Sequence, residues 1–236
     1  MGNMTPVIVG AIVVGGAAVA LYNLLDTKDD PIHATTPQSA VVSPLVAPNT
    51  TSVPEPNAQL SKVVIRENEP FLGKDDAPVT IIEYASMTCS HCAEFHNQVI
   101  PIIKSEFVDK GIVRMVYRDF PLDRLALAAA VIARCAGDHR YFPFVNALYA
   151  AQDKWARDSD PMAALSRVAL LGGMSQAQFD KCLKKDEMAK EVLDQQLEAD
   201  KSYGLRSTPT IIVNGDLYSG GLTVDQLRAV INSKLN

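Results

Sequence analysis

At 236 residues the chain has room for one or two domains, and 47% hydrophobic residues place it with ordinary globular proteins. A formal charge of −5 and a sequence pI near 5.4 argue against a nucleic-acid partner. Four cysteines are too few to scaffold a small disulfide-knotted domain, but enough for one redox pair and one structural pair.

In chain order, Val7 to Leu25 is an uncharged apolar run of about one bilayer span. Two readings compete: a retained membrane anchor, or a cleavable signal with Pro6 to Ala17 as its apolar region and Ala18-Val19-Ala20 as its small-x-small site. No Lys or Arg precedes the run, so the positive-inside rule leaves its orientation unset. The anchor is the preferred reading, and either one sends the rest of the chain out of the cytoplasm. Asp26 to Ser61 carries prolines at 31, 37, 44, 48, 54 and 56 and has no usable periodicity. It reads as a disordered linker of some 35 residues with a typical span of roughly 30–35 Å, and prolines at this density exclude an oligomerising helix.

From Lys62 to Asn236 the pattern becomes that of a folded domain. Val79 to Tyr84 is a β-branched, mostly buried strand, and Ala93 to Phe107 carries Phe95, Val99, Ile102, Ile103 and Phe107 at helical spacing. A second strand, Ile112 to Tyr117, precedes Arg118-Asp119-Phe120-Pro121. A helical block of about eighty residues follows, with segments at Leu122 to Ala136, Tyr141 to Ala151, Met162 to Leu171, Ser175 to Leu183 and Glu187 to Tyr203. The chain then returns to strand at Thr210 to Val213, turns at Asn214-Gly215, and pairs through Leu217-Tyr218. Thr223 and Gln226 form a capping box for a last helix, Val224 to Leu235. Two short βα units cannot bury their faces alone, so the order β-α-β, helical block, β-β-α predicts one mixed sheet with the block docked over one end.

The chemistry lies at Cys89-Ser90-His91-Cys92, between the first strand and the first helix. Sulfurs at a helix start meet amide N–H groups without intrahelical partners and the positive end of the dipole, which favours thiolate. A strand–helix Cys-x-x-Cys is a redox signature. The alternative is a zinc or copper site using Cys89, Cys92 and His96. That site wants a fourth ligand, and Cys135 and Cys182 stand in separate helical patterns. Cys89, the more N-terminal sulfur, is the candidate nucleophile and Cys92 the resolving thiol. His91 stands beside the thiolate as a hydrogen-bond donor or positive charge, or else as a merely exposed residue. His96 reads as structural.

The element order, the Cys-x-x-Cys and Ser207-Thr208-Pro209-Thr210 before the third strand resemble a thioredoxin fold with a helical insertion at about 122–204. More narrowly, residues 65–236 resemble the DsbA-like thiol:disulfide oxidoreductases of the bacterial envelope. Glu83, Phe95-His96, Arg118-Asp119-Phe120-Pro121, Arg134-Cys135-Ala136-Gly137 and Phe179-Asp180-Lys181-Cys182-Leu183 carry that resemblance. Ser90 departs from the family's commoner proline and leaves the redox potential open.

The resemblance implies a periplasmic enzyme that needs no cofactor or metal and passes the Cys89–Cys92 disulfide to exported proteins. A membrane redox partner would reoxidise it. It makes Glu83 a buried acid relaying protons for Cys92, where the alternative is an edge-strand carboxylate facing water. Thr208-Pro209 becomes a cis bond beside the disulfide which, with Ser90, meets the substrate peptide. In an oxidising compartment Cys135 and Cys182, on helices of one block, are expected to pair; the alternative is two buried free thiols. A disulfide isomerase or reductase is the nearest rival function, to which Thr208 inclines, while the lack of an oligomerising helix inclines to a monomeric oxidase.

Overall fold

The computed structural model describes residues 52–61, 63–67 and 69–236. The expected span Val7 to Leu25 and most of the expected linker lie outside the described residues. Among the described residues, no helix is long and apolar enough to cross a membrane.

The sheet forms from β1 (Ala58–Gln59), β2 (Phe71–Leu72), β3 (Val79–Ala85), β4 (Val113–Asp119), β5 (Thr210–Val213) and β6 (Asp216–Ser219), in the order β1-β6-β5-β3-β4-β2. β3 and β4 run parallel; every other pairing is antiparallel. The crossover between β3 and β4 is the redox helix, and the β5–β6 hairpin turns through Asn214 and Gly215, both at positive φ as a tight two-residue turn requires. The folded unit begins earlier than the sequence pattern suggests. β1 falls inside the expected linker and pairs with β6 through its backbone, Ala58 opposite Leu217.

Strand alternation sends the sheet's side chains to two faces. Val79, Ile81, Val113, Met115, Ile211 and Val213 meet Phe95, Val99 and Ile103 from the redox helix and Leu227, Val230 and Ile231 from α9 (Val224–Ser233). Ile82, Tyr84, Val116, Ile212 and Leu217 meet Phe120, Ala199 and Leu205, with Leu60, Val63, Ile65 and Phe71 packed over them.

The redox helix is not one continuous α-helix. α1 (Ser90–Glu94) and α2 (Ile100–Ile103) are joined by a widened π-type turn, Phe95–Val99, and a second such turn follows at Lys104–Val108. Pro101 explains the first. It has no N–H to donate and its ring crowds the carbonyl four residues back, so the turn opens and Ile100 N–H bonds to Phe95 O instead.

The helical block comprises α3 (Arg124–Cys135), α4 (Asp138–Ala150), α5 (Gln152–Trp155), α6 (Pro161–Leu171), α7 (Gln176–Cys182) and α8 (Asp186–Tyr203). Asp123, Asp160 and Ser175 cap three of these, and Thr223 with Gln226 closes a capping box on α9. The block's core of Ile132, Phe144, Val145, Leu148, Trp155, Leu165 and Phe179 continues into Met87, Cys92 and Tyr117 at the sheet end. Cys135 and Cys182 are bonded to each other, with their Cα atoms 5.9 Å apart.

Candidate active site

Glu83 shares the face of β3 that carries Val79 and Ile81, and so lies beneath the redox helix. Beyond Ala85 the chain leaves the sheet through Ser86-Met87-Thr88 and enters α1 at Cys89. Cys89 is the residue before the first turn, and its sulfur accepts the Cys92 amide N–H at 3.4 Å. Its thiol faces the carbonyl of Thr208 at 3.4 Å, across the gap to the loop that ends in the cis Thr208-Pro209 bond. Cys89 is half-buried and Cys92 fully buried, and both are free thiols.

The two sulfurs are driven apart in acidity. The Cys89 thiol is pulled down to about 5: the Cys92 thiol beside it lowers it most, and the nearby Thr208 and the amides of Cys92 and His91 reinforce that pull against partial burial. Burial pushes the Cys92 thiol far up, as do its hydrogen bond to Cys89 and the nearby Glu83 charge. The half-buried sulfur is therefore favoured as a thiolate and the hidden one holds its proton.

His91 helps Cys89 through its backbone amide, while its imidazole is exposed. It lines a groove of about 580 Å³ with Phe95, Gln98, Pro209, Leu222 and Val224. Ser90 is exposed beside it. Glu83 does not face water: it is buried, and its Oε2 lies 2.7 Å from His96 Nε2. His96 is thus turned to Glu83, its ring stacked on Tyr149 at 4.4 Å. Among the described residues no group of three or more His, Cys, Asp or Glu side chains converges as a metal site would require.

Sequence reasoning missed the residues that the helical block lends to the site. Gln152 Nε2 donates to the carbonyls of Met87 at 2.8 Å and Cys89 at 2.9 Å. Tyr149 donates to Ser86 O at 3.1 Å and meets Tyr117 hydroxyl to hydroxyl at 2.8 Å. Thr88 Oγ1 donates to Asp123, the cap of α3, at 2.7 Å. The segment from Ser86 to Cys89 is therefore hydrogen-bonded to the inserted block at each of its four residues. For His96 a signal existed: it lies four residues after Cys92, on the same helix side, one helix away from an acid embedded in an apolar strand.

A family model described as thioredoxin matches residues 66–233. A Rickettsia bellii relative, whose name assigns it provisionally to the protein-disulfide oxidoreductases, is 28% identical over 197 residues, covering 83% of this chain and 76% of its own. Among further Rickettsia relatives the chain covers as little as 62% of the full length. Disulfide bond formation protein D of Bacillus subtilis is 26% identical, with 72% of this chain and 78% of that protein covered. Among solved structures, Wolbachia pipientis alpha-DsbA1 superposes with a TM-score of 0.67 at 30% identity, covering 72% of this chain and 92% of that one. With its helical insertion between β4 and β5 and its Cys-x-x-Cys at the start of the crossover helix, the chain belongs to the DsbA-like thiol:disulfide oxidoreductases of the thioredoxin fold.

Proposed function

We propose that the chain is a net oxidant of exported proteins, donating the Cys89–Cys92 disulfide to their reduced thiols in the bacterial periplasm. The observation that carries this reading is the opposed acidity of the two sulfurs. A substrate thiolate attacks Cys89, the reachable sulfur, and Cys92 leaves. A second substrate thiolate then attacks the substrate sulfur of the mixed disulfide, and Cys89 leaves as a thiolate that the site already stabilises. Stabilising the reduced form makes the disulfide easy to give away. The groove beside His91 and Pro209 receives the extended substrate segment, with Ser90 and Thr208 at its edge. A membrane redox partner restores the disulfide, and the monomer stays tethered through Val7 to Leu25.

In the test, Cys89→Ser abolishes oxidation of a reduced, unfolded test protein, whereas Cys92→Ser traps a mixed disulfide through Cys89. Equal activity of Cys89→Ser and the parent would overturn the mechanism. Repair of a scrambled substrate faster than oxidation of a reduced one would favour the isomerase.

A further inference from the structure

Breaking the Cys89–Cys92 bond leaves charge where the protein tolerates it least. The substrate thiolate forms its new S–S bond to Cys89, and the electron pair of the old bond passes to Cys92 Sγ. That sulfur is fully buried, and burial disfavours its thiolate. A proton must reach it for the step to complete.

Beneath it lies a pair that can hold one. Glu83 Oε2 and His96 Nε2 are 2.7 Å apart, with side-chain exposures of 0% and 3%. Glu83 Oε1 and His96 Nδ1 are buried without a partner among the described residues. Carboxylic acid with imidazole, and carboxylate with imidazolium, are both net neutral, so the pair stores a proton without placing an uncompensated charge in the core. The widened turn Phe95–Val99 presents His96 to the sheet, and the Tyr149 and Tyr117 rings hold it there at 4.4 and 5.4 Å between centroids.

We propose that His96 is a positioning residue for the first exchange step: it holds Glu83 in a shared-proton pair that delivers the proton to the departing Cys92 sulfur. The unpartnered Oε1 is the oxygen through which it passes. After transfer Cys92 is a thiol, the pair is a carboxylate accepting the Nε2–H of a neutral imidazole, and solvent restores the proton. This inference rests on the oxidase reading, in which Cys92 is the first leaving group.

The test follows the rate at which oxidised protein reacts with reduced glutathione between about pH 5 and pH 9, comparing the parent with Glu83→Gln, His96→Phe, His96→Gln and Glu83→Gln/His96→Phe. Phenylalanine keeps the stack on Tyr149 and removes both nitrogens. The other titratable groups that feel the pair are Cys92 from α1, Tyr117 from β4, and Tyr141 and Tyr149 from α4, with Asp119 of β4 beside the three phenols and bonded to Arg134. Burial holds all three phenols well above their usual range, so they keep their protons throughout.

His96→Phe is expected to slow exchange roughly 10–100-fold at neutral pH, as loss of a positioned proton donor does. The deficit should shrink at low pH, where solvent protonates the sulfur. The double variant should be no slower than Glu83→Gln, and the ultraviolet thiolate titration of Cys89 should keep its midpoint near 5. His96→Gln preserves a hydrogen bond to Glu83 and supplies a second variant if His96→Phe does not fold; it should show the same pH-dependent deficit. Parental rate and pH profile in a folded His96 variant would overturn the proposal. A parent that exchanges no disulfide at all would instead sink the oxidase reading.

Discussion

Cys89 ties redox state to pH through one sulfur. Its folded value of about 5 lies below the unfolded value of 9.0, so the thiolate contributes stability to the reduced protein fully above that unfolded value. The contribution falls as pH drops and is gone below the folded value. Cys92, pushed upward, remains a thiol across this window, and the oxidised protein has neither group to titrate. The reduced form should therefore lose stability relative to the oxidised form between about pH 8 and about pH 4.5, measured as the difference in thermal midpoints with and without reductant. A difference that stayed constant or grew on acidification would show that Cys89 is not a stabilised thiolate. Gln152 belongs to the same scale: by donating to the Met87 and Cys89 carbonyls it keeps two acceptor dipoles occupied beside the anionic sulfur.

At the scale of elements, the Cys135–Cys182 bond joins the ends of α3 and α7 across 47 residues of sequence, and α3 is capped by the Asp123 that also holds Thr88. Non-reducing digestion should recover peptides containing the two cysteines as one linked species. Replacing both by alanine should cost about 4 kcal/mol in the chain-entropy model, while Cys89 alkylation stays unchanged. Two freely alkylated thiols in the parent would show that the pair is not formed. What was legible in the sequence was local. β-branched runs found β3 and β5, Asn214-Gly215 found the hairpin, and Thr223 with Gln226 found the start of α9. Non-local or purely backbone features escaped. β1 is two exposed residues with no side-chain pattern, and Gln152 sits on a four-residue helix more than sixty residues from the carbonyls it serves. The π-type turns escaped because an apolar stripe reads alike over an α-turn and a widened one; Pro101 was the visible warning.

At the scale of the whole molecule, a compact redox domain stands behind a proline-rich stretch and an apolar run. If the run is a retained anchor, the protein should remain with the membrane fraction through high-salt and carbonate washing. A soluble mature form beginning at Leu21 would establish cleavage instead. The expected monomer should be seen in the solution mass, and a trimer that also repairs scrambled disulfides would promote the isomerase.

Arg118 has a mechanical consequence. Its guanidinium, almost wholly buried, holds Glu69 through two bonds of 2.6 and 2.8 Å, the Val64 carbonyl at 2.6 Å and the Tyr84 hydroxyl at 2.6 Å. Tension arriving from the N-terminal side would first peel β1 from β6, a zipper only two residues long that tears one bond at a time. It would then meet Arg118, where several charged bonds have to shear together. The load ends on β3 and β4, which pair over seven residues, on the face away from the redox helix, so a pull from the N-terminal side leaves the sulfurs undisturbed.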